Sequence, residues 1–184
     1  MEQLAQRMYQ GILSQEEAVL YEINNYHKDY LGMPIKSLRD LQLGKEVAYM
    51  TIAHEFGFSS WESVEKLDAK YDPAFEKALG FLLAGSVKKL KGLLHEYPHL
   101  LSESSIYGHE ATLLHYTASN GVELWRQQVP NNIVDIAGLL LLAGASKHAF
   151  MNVYGGEFTA YALAESSAHP YDAGLAPELF AVLK

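Results

Sequence analysis

The strongest constraint in this chain is an internal self-similarity. Tyr107-Gly108-His109-Glu110-Ala111-Thr112 recurs as Tyr154-Gly155-Gly156-Glu157-Phe158-Thr159, displaced by 47 residues, with Tyr, Gly, Glu and Thr in register. Each copy precedes a segment rich in Ala and Leu, and each follows a helix ending in a turn, at Tyr97-Pro98 and at Gly144-Ala145. Recurrence at such spacing implies one helix-containing unit used more than once, stacked so that neighbours cover each other's apolar faces.

The residues around these copies carry a resemblance. Thr112-Leu113-Leu114-His115-Tyr116-Thr117-Ala118, followed by Gly121, resembles the first-helix signature of the ankyrin repeat. Leu139 to Ala145 is similar to the end of its second helix. Ala74 to Leu101 looks like a preceding repeat, with Gly85 at the turn and Leu90, Leu93 and Leu94 in the second helix. Thr159 to Lys184 would close the stack, although Ala160, Tyr161 and Ala162 stand where the family has Pro-Leu-His. Ile52-Ala53-His54-Glu55-Phe56-Gly57-Phe58-Ser59-Ser60-Trp61 resembles a segment found ahead of ankyrin repeats in bacterial proteins, which implies a bacterial source. The resemblance implies an all-α, ankyrin-type helical repeat solenoid: a helical N-terminal cap over 1–72 and about three repeats over 73–184. The family repeat is about 33 residues, so the longer period implies roughly 14 more, most of them inserted at 122–132 between two helices of one repeat. In that family the His at the position of His115 is structural and bonds backbone at the turn between repeats.

Ahead of the repeats the periodicity is also helical. Leu4, Met8 and Ile12 recur at four-residue spacing, and Ser14-Gln15-Glu16-Glu17 reads as a capping box opening a helix that would pack through Ala18, Tyr21, Ile23 and Tyr26. Leu43 to Phe56 predicts a helix stopped by Gly57. Ser59 to Glu62 reads as a second capping box, opening a helix through Val64 and Leu67, and Asp72-Pro73 starts the next. Strict alternation nowhere exceeds four residues, so little sheet is predicted.

Composition narrows the function classes. With 49% hydrophobic and 20% charged residues the chain can bury a core. A net charge of −8, with Lys88, Lys89 and Lys91 as the densest basic cluster, argues against nucleic acid. The absence of cysteine removes disulfides and thiolate chemistry and agrees with a reducing compartment. Met1 to Gln10 is polar, unlike a signal peptide. Ile133 to Ala145 contains Asp135 and falls short of the roughly 20 residues of a membrane span. The expectation is a cytoplasmic protein that does not bind membranes.

Signals for catalysis are thin. His95 and His99 are separated by Pro98, and none of the His-Glu pairs at 54, 95 and 109 extends to a two-His helical metal motif. Gly155-Gly156 lacks the Lys and the preceding strand of a phosphate loop. No catalytic residue, metal or cofactor is therefore assigned. The expected function is protein–protein interaction, as an inhibitor, immunity or regulatory factor. Its expected contact residues, in the hairpin loops, first helices and insertion, are Tyr107, His109, Glu110, Tyr116, Asn120, Trp125, Arg126, Tyr154 and Glu157. Aromatic and Arg side chains combine large area with a polar handle, and the acidic balance favours a basic partner. The aromatic surface is also suited to closing a homodimer. A second reading makes His109, Glu110, Glu157 and His169 a small-molecule or metal-dependent enzyme site at the hairpin corner.

Overall fold

The computed structural model describes residues 1–66, 72–123 and 126–184. The described residues are mostly helical, as the all-α reading requires, with one short hairpin as the main departure. The chain divides into two compact units, Met1–Lys70 and Tyr71–Lys184.

The first unit contains α1 (Glu2–Leu13), α2 (Glu17–Tyr26), α3 (Ile35–Arg39), α4 (Lys45–Glu55) and α5 (Trp61–Glu65). α1 packs on α4, and α2 packs on α3 and α4 around Leu20, Ile23, Leu38 and Val47. The buried stripe of α1 is Ala5, Met8 and Gly11, which leaves Leu4 outside. Ser14 does not open α2. Its hydroxyl donates to the Gln10 carbonyl and closes α1, while Gln15 turns the chain at φ 56°. α2 therefore starts only at Glu17, and Tyr21 and Tyr26 lie exposed. Ser60, one residue later than expected, caps α5 by accepting from the Ser63 N–H. Leu67, expected in that helix, lies outside the described residues.

The second unit contains α6 (Pro73–Leu83), α7 (Val87–Glu96), α8 (Leu113–Tyr116), α9 (Ile133–Ala143), β1 (Met151–Val153), β2 (Gly156–Phe158), α10 (Ala160–Ser166), α11 (Ala168–Asp172) and α12 (Ala176–Leu183). Asp72 caps α6, its Oδ1 accepting from the Ala74 N–H at 2.8 Å, with Pro73 first in the helix. α6 packs on α7 and α8, α8 on α9 and α10, and α9 on α7 and α12. Leu79, Leu90, Leu114, Ile136, Leu140 and Leu179 form part of one continuous core. Burying each such side chain stabilises by about 2 kcal/mol. α8 is a single turn, because Thr117 to Ser119 leave the helix and Ser119 takes φ 52°.

The Thr shared by the two sequence copies has a common role. Thr159 Oγ1 accepts from the Ala162 N–H at the start of α10, and Thr112 Oγ1 caps α8. His115 completes the cap of α8: its Nδ1 accepts the Thr112 N–H at 3.1 Å. An accepting Nδ1 leaves the ring proton on Nε2, which donates to the Ala149 carbonyl at 3.1 Å, 34 residues further along. Burial, above all, pushes the His115 ring down to about 4.

The sign of the resulting pH effect follows from linkage. Between about pH 6.5 and about pH 4 the unfolded chain takes up a proton at His115 that the folded chain refuses, so the stability contributed by this ring falls on acidification and levels off below. The whole loss is about 3 kcal/mol. His115→Asn should be less stable near neutral pH, and its deficit against the wild type should narrow on acidification across this window. Thermal unfolding of the two proteins across that window checks it.

Candidate functional site

β1 and β2 pair Met151 with Phe158 and Asn152 with Glu157, and Tyr154-Gly155 forms the two-residue loop between them. Tyr154 at φ 53° and Gly155 at φ 76° are both left-handed, as a type I′ turn requires. Asn and Gly occupy such positions easily, whereas an ordinary L side chain costs about 1 kcal/mol. Tyr154 is nevertheless 70% exposed. Its hydroxyl donates to Asn120 Oδ1 at 2.7 Å, and Asn120 Nδ2 donates to the Leu163 carbonyl and Ser166 Oγ. The ring meets Phe158 edge-on at 6.4 Å. An aromatic ring is thus fixed on the surface, with little rotamer freedom left to lose.

The first copy of the motif lies beside this hairpin. The Asn152 N–H donates to the His109 carbonyl at 2.8 Å, and Asn152 Nδ2 reaches Glu110 Oε2 at 3.4 Å. Glu110 and Glu157 are both exposed. The two copies do not fold alike. Ser104 faces Thr112 in the first, whereas their counterparts in the second, Met151 and Thr159, are out of register by one residue, Met151 facing Phe158. A one-residue slip turns side chains to the other face. His109 accordingly points inward and is buried, while its counterpart Gly156 is exposed.

Inside, the structure assembles a polar cluster around Glu123, which the sequence had not singled out. Glu123 is buried, and its carboxylate accepts from the Tyr116 hydroxyl at 3.0 Å and from Arg126 Nη1 at 3.0 Å. His109 Nδ1 accepts from the Ala111 N–H, and its Nε2 faces Glu123 Oε2 at 3.5 Å without the alignment of a hydrogen bond. Arg126 Nη2 also pairs with Glu76 on α6, and the guanidinium lies 5.7 Å from the Tyr107 ring. Burial pushes the Glu123 carboxyl up, but the His109 edge and the Arg126 charge outweigh it and hold it below the usual carboxylate range. Burial first, and then the charge of Glu123, raises the Tyr116 hydroxyl.

Several expected contact residues therefore change role. Tyr116 is 0% exposed and serves the interior, not a partner. His109 and Arg126 are likewise committed inward, and Tyr107 is half-buried against them. Glu110, Asn120, Tyr154 and Glu157 do come together on the hairpin side. Trp125 lies outside the described residues. The sequence signal for Glu123 was its three-residue spacing from Arg126 after the buried Val122.

The His/Glu corner is not assembled as a metal-holding group. His109 turns to Glu123, and His169 Nε2 meets Gln127 Oε1 at 3.2 Å. Among the described residues no three His, Asp or Glu side chains are placed to hold a metal ion. None of the described helices is long and apolar enough to cross a membrane. Comparison with protein-family models, with curated proteins and with solved structures finds no match.

Replacing Arg126 by Met would leave the Glu123 carboxylate buried without its counter-charge. The expected cost is about 3 kcal/mol, read as a lower denaturation midpoint in urea with an unchanged slope. A neutral outcome would show that Glu123 does not need Arg126.

Proposed function

We propose that this chain is an ankyrin-type module that recognises another protein through the hairpin side of its second unit. The observation that carries the reading is Tyr154. A large aromatic is held in a left-handed turn, exposed, and fixed by Asn120, although Asn or Gly would fit that turn with less strain. Strain maintained at an exposed, preorganised ring is what a binding anchor needs, because little ordering entropy is then lost on association. Glu110 and Glu157 beside it, on a chain of net charge −8, favour a basic partner.

Further support for the ankyrin-type reading comes from how the helices neighbour one another. Helix pairs follow in the order α6–α7, α8–α9 and α10–α12, and first members pack on first members, second on second. The bond from His115 in α8 to Ala149 and the bond from Asn152 to His109 each tie one pair, or its lead-in, to the segment leading into the next. Those are the places where the resemblance puts a structural His and adjoining hairpins.

Tyr154→Asn separates recognition from stability. Asn suits φ 53°, so the thermal midpoint should stay at or above that of the wild type. Affinity capture from lysate, read by mass spectrometry, should yield a specific protein with the wild type. The variant should bind that protein at least about tenfold more weakly. Equal capture by both proteins, or no specific capture by either, would count against the reading.

A further inference from the structure

We propose that the face made by α7 and α9 receives a second copy of this chain, with the two α9 helices antiparallel and crossing at Gly138. α9 is apolar almost all round, yet only Ile133, Ile136, Ala137 and Leu140 are buried in the core. On its other side Asp135, Gly138, Leu139 and Leu142 fall three or four residues apart and form one stripe. Leu142, at the end of that stripe, is 92% exposed. Leu139, Leu142 and Ala143 continue into an open groove of about 470 Å³, completed by Lys91 and His95 of α7 and by Leu101. An isolated exposed Leu needs no explanation, but an apolar stripe running into an apolar groove does.

Two further features say what covers it. Gly138 sits inside a helix, where Gly costs about 1 kcal/mol relative to Ala. A Cβ built there would meet nothing within 4 Å among the described residues, as is also true at Gly80 in α6 and Gly92 in α7, so Gly138 leaves open space over the stripe. Bare backbone at the centre of the stripe allows another helix to come close. The charges are self-complementary as well. Asp135 lies on the N-terminal half of α9, whereas Lys91 and His95 flank its C-terminal half in the groove. Asp135 and Lys91 are exposed, and neither has an ion-pair partner among the described residues. A two-fold axis at Gly138 carries each copy's Asp135 toward the Lys91 and His95 of the other, and lays each Leu142 along the other's stripe. Two chains of net charge −8 repel overall, so the match of acid to base on this face is what makes a second copy fit here.

Light scattering on the full chain at rising concentration tests this. The wild type should approach twice the chain mass of 20.5 kDa. Leu142→Asp, a change at an exposed position, should hold it at one chain mass with the fold's circular dichroism intact. Asp135→Lys should also separate the copies, and Asp135→Lys combined with Lys91→Glu should rejoin them. Tyr154→Asn should leave the mass unchanged, so the outcome is independent of the recognition reading. A wild type that stays at one chain mass up to about millimolar concentration overturns the proposal. So does a pair that survives Leu142→Asp, or a double variant that stays separate.

Discussion

His115 holds two long connections in place from a single buried ring. The segments leading into α8 and into the β hairpin leave the helices and must still satisfy backbone donors and acceptors away from water. One ring nitrogen takes the Thr112 N–H, and the other gives its proton to the Ala149 carbonyl. Only a neutral imidazole in that one tautomer does both at once. α8 can therefore be a single turn and still fix where the next connection lies. The neighbouring hairpin inherits that placement through the bond from the Asn152 N–H to the His109 carbonyl.

The insertion between α8 and α9 is anchored by different means. Its Glu123 and Arg126 are drawn into the interior, where Tyr116, His109 and Glu76 surround them. A buried ion pair offers little net stability over an apolar replacement of equal volume, because desolvation offsets the attraction. It does impose geometry, since Arg126 bridges Glu123 and Glu76 through different nitrogens and so fixes its own place against α6. That division places the polar network in the interior and leaves Tyr154, 70% exposed, on the hairpin surface.

Helix identity was legible where periodicity and punctuation agreed. Asp72-Pro73 begins a helix and Gly144 ends one with φ 111°, whereas α9 is apolar almost all round, so spacing alone does not mark its buried side. The hairpin motif told where the two Tyr-Gly copies would meet, because identical chemistry at a fixed displacement tends to stack. It did not tell that they would differ by one residue in register. The buried acid that His109 faces in the first copy sits 14 positions away, in an insertion with no regular pattern. The buried place of Tyr116 is hidden for a like reason: its neighbours along the chain say nothing about the Glu123 carboxylate that its hydroxyl meets. Ser14 shows a local version of the problem, since a hydroxyl between two helices can close one or open the other.

The reach of Arg126 back to Glu76 also has a consequence in time. The two residues are 50 positions apart, so during synthesis α6 is complete long before its counter-charge exists. At ordinary elongation rates the interval is about 3 to 10 s, far longer than helix formation or collapse. In that interval α6 and α7 can form a hairpin, but the face of α6 that later meets α8 and Arg126 is still bare. The pairing of α6 with the insertion is thus a late event in synthesis, since it waits for Arg126.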